Sequence, residues 1–265
     1  AWLYDTGPRY SSDSDAGERI VLPYLRHRGI TRLDGLIVSH LDSDHSGGTA
    51  ALLRGLPARR VISSIAPSHA MFRGRAVERC EAGQRWSDGA MQFTVLHPPA
   101  ADYARRRTTN AMSCAVLVLA GSHRVLLTGD IGIAEEAAIL ARWPGLAADW
   151  LAAPHHGSRS SSSPQLLAAL GARDAVAQAG YRNRYGHPDA GVAARYAEAG
   201  IALRRTDHAG ALQWRMRPDG GVRHSAWRTE AVRYWHNRPG PRAETDLDDV
   251  DESTEPVPIE PFIAG

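Results

Sequence analysis

The sequence predicts an α/β fold with mixed sheets. Apolar, strand-like runs alternate with helical stretches along the whole chain, and such interleaving is the signature of α/β architecture. The runs at 113–120 and 124–128 are joined only by Gly121-Ser122-His123, too short a link for anything but an antiparallel hairpin, so the sheets are not purely parallel. Several strand-like runs also end in clusters of His and Asp, as expected when loops at one end of a sheet form a cleft.

In order, residues 3–6 read as a strand. Asp15 is placed to cap a helix running to about Arg28, with Ile20, Val21, Tyr24 and Leu25 as its buried stripe, Pro23 disturbing its regularity and Gly29 ending it. A strand follows at 33–39 and a helix at 46–54. Strands are expected at 60–65, 91–96, 113–120 and 124–128, then a helix at 133–142 that stops before Pro144-Gly145. A short strand at 150–153, a helix from Pro164, a strand near 175–178, a helix at 190–199 and strands at 201–204 and 211–216 complete the pattern. No internal repeat is present.

With 265 residues and 43% hydrophobic content, the chain can bury one substantial core. No run reaches the roughly 18–20 apolar residues of a membrane span. The opening Ala1-Trp2-Leu3-Tyr4-Asp5-Thr6-Gly7 has no initiator Met and no basic, signal-like stretch, so a piece of a longer protein is expected. All 31 basic residues are arginine. Residues 1–240 hold 30 of these but only 21 of the 29 acids, a net of +9 that suits a polyanionic partner. The expected division is a folded domain at 1–237 and an acidic, Pro-rich, disordered tail at 238–265. Cys80 and Cys114 lack a paired spacing, and neither a zinc motif nor a disulfide framework is expected from them.

The densest chemistry lies at His40-Leu41-Asp42-Ser43-Asp44-His45, just after the strand-like run Leu36-Ile37-Val38-Ser39. Imidazole nitrogen and carboxylate oxygen hold catalytic divalent cations while leaving a position open for water. A loop this short cannot turn all four side chains to one ion, so two adjacent cations are expected. Spaced ~3.5–4 Å apart, such a pair clamps an in-line displacement. The calcium-loop alternative fails, because the twelfth residue counted from Asp42 is Leu53 where a bidentate Glu is needed. Leu127-Thr128-Gly129-Asp130 delivers a further carboxylate at a strand end, although Gly-Asp is also a common turn. Pro154-His155-His156-Gly157-Ser158 offers one His to a metal and the other to orient it or touch substrate.

The series resembles the metallo-β-lactamase superfamily, and within it the C-terminal domain of ComEC-type competence proteins, which take up DNA through the bacterial inner membrane. The matching segments are Leu3-Tyr4-Asp5-Thr6-Gly7, His40 to Gly48, Asn110 with Ser113, Leu127 to Asp130, Pro154 to Ser158, Tyr185-Gly186-His187-Pro188 and Thr206-Asp207 with Gly210. The resemblance implies an αββα sandwich, with Asp130 bridging two metals. It puts His40 and Asp42 on one, and Asp44, His45 and either His155 or His156 on the other. Asp42 stands where the superfamily more often has His. A further ligand His is common before the bridging Asp; His69 and His97 are the candidates in sequence. The resemblance further implies a nuclease domain on the periplasmic side that degrades the strand not imported. DNA and the membrane channel domain of the same parent protein would be its partners.

In that mechanism Asp44 orients the attacking water or accepts its proton, and the Asp-rich shell favours manganese, with zinc second. Asn110, Ser113, Ser158 and His187 are the expected substrate contacts, and Asp5 is expected to support the signature loop. Arg105-Arg106-Arg107, Arg182 with Arg184, and Arg204-Arg205 are candidates to track a nucleic-acid backbone. Trp227 and Trp235 are expected to pack, with base stacking the alternative. Two other readings stay open: a thioesterase- or lactonase-type hydrolase of small substrates, and a non-catalytic DNA-binding domain.

Overall fold

Alternation within single strands decides the layering. In the Leu33–Val38 strand, Leu36 and Val38 enter one core and Ile37 another. In the Ala115–Ala120 strand, Val116 and Val118 share the core of Ile37, whereas Ala115 enters a third. Trp150, Leu151 and Ala152 alternate in the same way. Successive strand residues face opposite sides, so a strand buried on both faces reads as an apolar run. The computed structural model thus has two sheets face to face, with helices on both outer surfaces. It describes residues 1–217 and 221–233, and the tail expected at 238–265 lies outside them, as does Trp235.

The first sheet is parallel, in the order Trp2–Tyr4, Leu33–Val38, Ala58–Ser63 and Glu78–Arg79. The second has seven strands. Ala202–Arg205, Asp174–Ala177, Trp150–Ala152 and His123–Leu127 run parallel, then Ala115–Ala120, Met91–His97 and Arg85–Asp88 continue antiparallel. The hairpin expected around Gly121 is present, and the helix at Ile133–Arg142 has the expected bounds.

Three local expectations change. The helix after Asp15 begins as a wide five-residue turn, Gly17–Val21, and becomes regular only at Leu22–His27. Its buried residues are Leu22 and Leu25, while Ile20 and Tyr24 are 56% and 40% exposed, because the wide turn rotates the stripe expected from regular helical spacing. The metal-competent loop is itself helical, splitting the expected helix into Ser43–Ser46 and Thr49–Gly55. Gly47 and Gly48 stand between them because the backbone passes so close to its neighbours. A Cβ on Gly47 would lie 2.2 Å from the Arg9 nitrogen, and one on Gly48 2.4 Å from that of Gly17.

The cysteines also depart from expectation. Cys80 and Cys114 are fully buried and joined by a disulfide, with Cα atoms 6.0 Å apart. Cys80 follows the last strand of the first sheet and Cys114 precedes a central strand of the second, so the bond staples the two layers. Spacing rules describe small stapled domains and cannot see a pair brought together by sheet stacking. Closing a loop of this 34-residue separation stabilises the fold by about 4 kcal/mol on chain-entropy grounds.

Candidate metal centre

Every segment of the centre begins at the carboxyl end of a strand. Asp5 follows Trp2–Tyr4, His40 follows Leu33–Val38, Asp130 follows His123–Leu127, and His155 follows Trp150–Ala152. The two sheets meet here directly. The Cys114 N–H donates to the Ser39 carbonyl at 2.9 Å, and the Tyr4 hydroxyl donates to the Cys114 carbonyl at 2.7 Å. The ligand-bearing loops therefore converge on one seam.

Asp5 is the buried anchor expected for the signature loop. Its carboxylate accepts from the Ser39 N–H at 2.7 Å and the Ser39 hydroxyl at 2.8 Å, and it stands 2.7 Å from His45 Nδ1. These contacts fix two tautomers. A carboxylate only accepts, so His45 donates from Nδ1 and presents Nε2 to the site. Because the Ser39 proton goes to Asp5, its oxygen is free to accept from His40 Nδ1, 2.9 Å away, and His40 then presents a bare Nε2. Ser39 was missed in the sequence; its only signal is a polar residue closing an apolar strand.

Asp130 stands between the clusters. Its Oδ1 lies 3.0 Å from His45 Nε2 and 3.6 Å from His156 Nε2; its Oδ2 lies 3.9 Å from His40 Nε2 and 3.6 Å from His155 Nε2. Asp44 approaches His156 Nε2 at 3.3 Å, and Asp42 approaches His40 Nε2 at 3.8 Å. One donor atom each from Asp44, His45, Asp130 and His156 fall within 4.8 Å of one another. By position His156 lies with Asp44 and His45, and His155 faces the His40 side.

The residues fit divalent cations. His40 Nε2 and Asp130 Oδ1, one in each half of the cluster, are buried with no aligned hydrogen-bond partner, a costly state that a cation beside each would relieve. Electrostatics agree. Burial would raise the pKa of Asp130, but contact with His45 and the nearby His156 and His40 outweigh it and hold the carboxyl ionised. Burial alone would discharge His45, yet Asp5 and Asp130 raise its pKa well above the ordinary imidazole value. Such opposed shifts in one cluster mark a place built for positive charge.

The backbone under the second His pair is strained. His155, His156 and Gly157 all have positive φ (50°, 55° and 80°), and so has Asp5 at 62°. A non-glycine residue held there costs about 1–3 kcal/mol, and such strain concentrates at functional sites. Pro188 packs on Gly157, and the His155 N–H donates to the Gly129 carbonyl at 3.1 Å, holding the turn against the strand end that carries Asp130.

The remaining candidates divide. Asn110 Nδ2 lies 3.3 Å from His155 Nε2, and the His187 ring lies 6.0 Å from that of His155, so both border the centre. Ser158 contacts Ser160, whose hydroxyl lies 3.4 Å from His155 Nδ1; Ser160 was not singled out in sequence. Ser113 is fully buried and accepts from the Asp130 N–H at 3.0 Å, so it positions that backbone and cannot reach a substrate as expected. Neither His69 nor His97 comes near. His69 caps its own turn, and His97 Nε2 contacts the Ala111 carbonyl at 2.8 Å. Arg204 and Arg205 pair with Asp174 and Asp207, and Arg107 with Asp102 and Glu135, so structural acids occupy these expected backbone contacts. Trp227 is 53% exposed.

A family model of the metallo-β-lactamase superfamily matches residues 1–180. The chain belongs to that superfamily. This metallo-β-lactamase domain is 34% identical over 243 residues to competence protein ComA of Neisseria gonorrhoeae, covering 89% of this chain and 32% of that one. It is 35% identical over 211 residues to recombination protein 2 of Haemophilus influenzae (80% and 26% covered), and 30% identical over 235 residues to ComE operon protein 3 of Bacillus subtilis (81% and 30%). The domain thus spans about a quarter to a third of the length of these relatives, and is homologous to competence proteins over that part. Among solved structures it is similar to Tm1679, a metal-dependent hydrolase of the β-lactamase superfamily, at 15% identity and TM-score 0.48, covering 77% of this chain and 85% of that one.

Proposed function

We propose that the domain is a metal-dependent phosphodiesterase, the nuclease part of a DNA-uptake protein, degrading the strand that is not imported. The observation that carries this reading is Asp130, whose two oxygens face different histidine pairs, in a chain homologous to competence proteins. Asp44, His45 and His156 would hold one cation and His40, Asp42 and His155 the other, with Asp130 between; manganese suits the carboxylate-rich donors, with zinc second. When bound, such a pair lowers the pKa of a water and neutralises charge on a transferring phosphoryl group. Asp44, half exposed at the rim, is kept ionised chiefly by its contact with His156 and so orients the water more readily than it takes its proton. Asn110 and His187 face the approach beside His155.

One further observation favours this reading. The buried disulfide suits an oxidising compartment, hence a periplasmic location beside a membrane channel domain of the parent protein. Among the described residues no helix is long and apolar enough to cross a membrane.

The test incubates labelled single- and double-stranded DNA with manganese, zinc or chelator, using the native chain and an Asp42→Ala/Asp44→Ala variant. Metal-dependent cleavage that vanishes in the variant is expected. Equal cleavage by both would assign the activity to a contaminant. DNA binding without bound metal or cleavage would instead favour a non-catalytic binding domain.

A further inference from the structure

An aromatic and arginine ladder leads away from the centre along the loop that carries His187. The Tyr185 ring stacks on His187 at 5.8 Å with planes 18° apart, and His187 in turn lies 6.0 Å from His155. Tyr185 is 66% exposed. The Arg184 guanidinium sits 4.8 Å from its centroid and donates to its hydroxyl at 2.6 Å. One turn earlier, Arg182 lies 5.3 Å from the ring of Tyr181, itself 40% exposed.

The loop is braced rather than slack. The Asn183 side chain accepts from the His187 N–H at 2.8 Å and donates to the His187 carbonyl at 2.7 Å. The Asp189 N–H donates to the Gly157 carbonyl at 2.9 Å, tying the loop to the turn that presents His155 and His156. An exposed ring that carries one guanidinium and is held at fixed distance from the candidate metal centre matches what a nucleic-acid strand offers: a base face to stack and a phosphate to pair.

We infer that Tyr185, backed by His187 and flanked by Arg184, is a stacking platform for an unpaired nucleobase, so that the site takes single-stranded rather than duplex DNA. This rests on the phosphodiesterase reading and names its substrate class. A duplex keeps its base faces covered, so it gains nothing from an exposed ring.

The test measures binding by fluorescence anisotropy in manganese buffer, using phosphorothioate-linked oligothymidylate, an abasic oligomer of equal length and linkage, and a duplex. Tyr185→Ala is expected to weaken oligothymidylate binding about 10- to 100-fold, in line with the loss of one base–aromatic stack. Binding of the abasic oligomer should be unmoved, and Tyr185→Phe should retain the native affinity. Equal affinity of Tyr185→Ala and the native chain for oligothymidylate, or no native preference for it over the abasic oligomer, would overturn the platform. Manganese-dependent cleavage of ordinary oligothymidylate is followed in parallel. Its absence would sink the nuclease reading while a Tyr185-dependent preference for bases still stood.

Discussion

His45 and His156 stand 3.0 and 3.6 Å from one oxygen of Asp130, with Asp44 3.3 Å from His156; His40 and His155 stand 3.9 and 3.6 Å from the other, with Asp42 3.8 Å from His40. The residue types are the same, yet only the first group draws its donor atoms within 4.8 Å of one another. The support differs too. His45 is clamped by the charged Asp5, whereas His40 depends on a neutral Ser39 hydroxyl. Loss of a partner that fixes a ligand's tautomer and direction typically costs about 10- to 100-fold in metal affinity. The comparison therefore teaches that the halves should differ in how tightly they hold a cation.

Asp130→Asn breaks the comparison altogether, since this carboxylate faces both halves. Cleavage should fall by at least about 1000-fold, with bound metal lost from both halves by mass spectrometry. Breaking the Cys80–Cys114 bond by Cys114→Ser, or by reductant in the unfolded chain, should cost about 2–5 kcal/mol in denaturant unfolding. The loss should touch both halves alike, because the bond lies beneath the seam they share. His156→Ala should remove the tighter of two events in a manganese titration and His155→Ala the weaker; one event lost in both variants would show a single shared site. Ser39→Ala should weaken the His40 half about 10- to 100-fold and leave the other within a few-fold, since Asp5 still meets His45.

The smallest effect belongs to a histidine in neither half. Burial lowers the pKa of His97, against its contact with the Ala111 carbonyl, so the folded state keeps it neutral. Its unfolded value is about 6.5, and the unfolded chain binds the proton first as pH falls. Stability should thus be full above about pH 6.5 and decline below it. His97→Gln should flatten that limb in thermal melts without changing the metal titration. A change in that titration would place His97 with the centre after all.

Much of this centre was legible in the sequence because His40, Asp42, Asp44 and His45 are neighbours along the chain, and because each remote segment repeats an apolar run followed by a ligand. Ser113 misled: its place after Asn110 suggests a substrate contact, but only sheet stacking shows its hydroxyl turned back to the Asp130 backbone. The cysteines misled for the same reason, being 34 residues apart in different layers. Arg204 and Arg205 looked free because their acidic partners, Asp174 and Asp207, reach them through an adjacent strand and a following turn.

Chain order alone determined which residue types end each strand, and with them the α/β class and the chemistry of the donors. Periodicity along one strand is a local property, set by the pleat and the apolar effect. Tertiary structure decided what no local rule reaches: that Asp130 divides its two oxygens between histidine pairs, that His156 rather than His155 joins Asp44, and that Ser39 fixes a ring. These depend on distances between separate strands and on left-handed turns at His155 and His156, and such quantities are settled only when two sheets pack face to face.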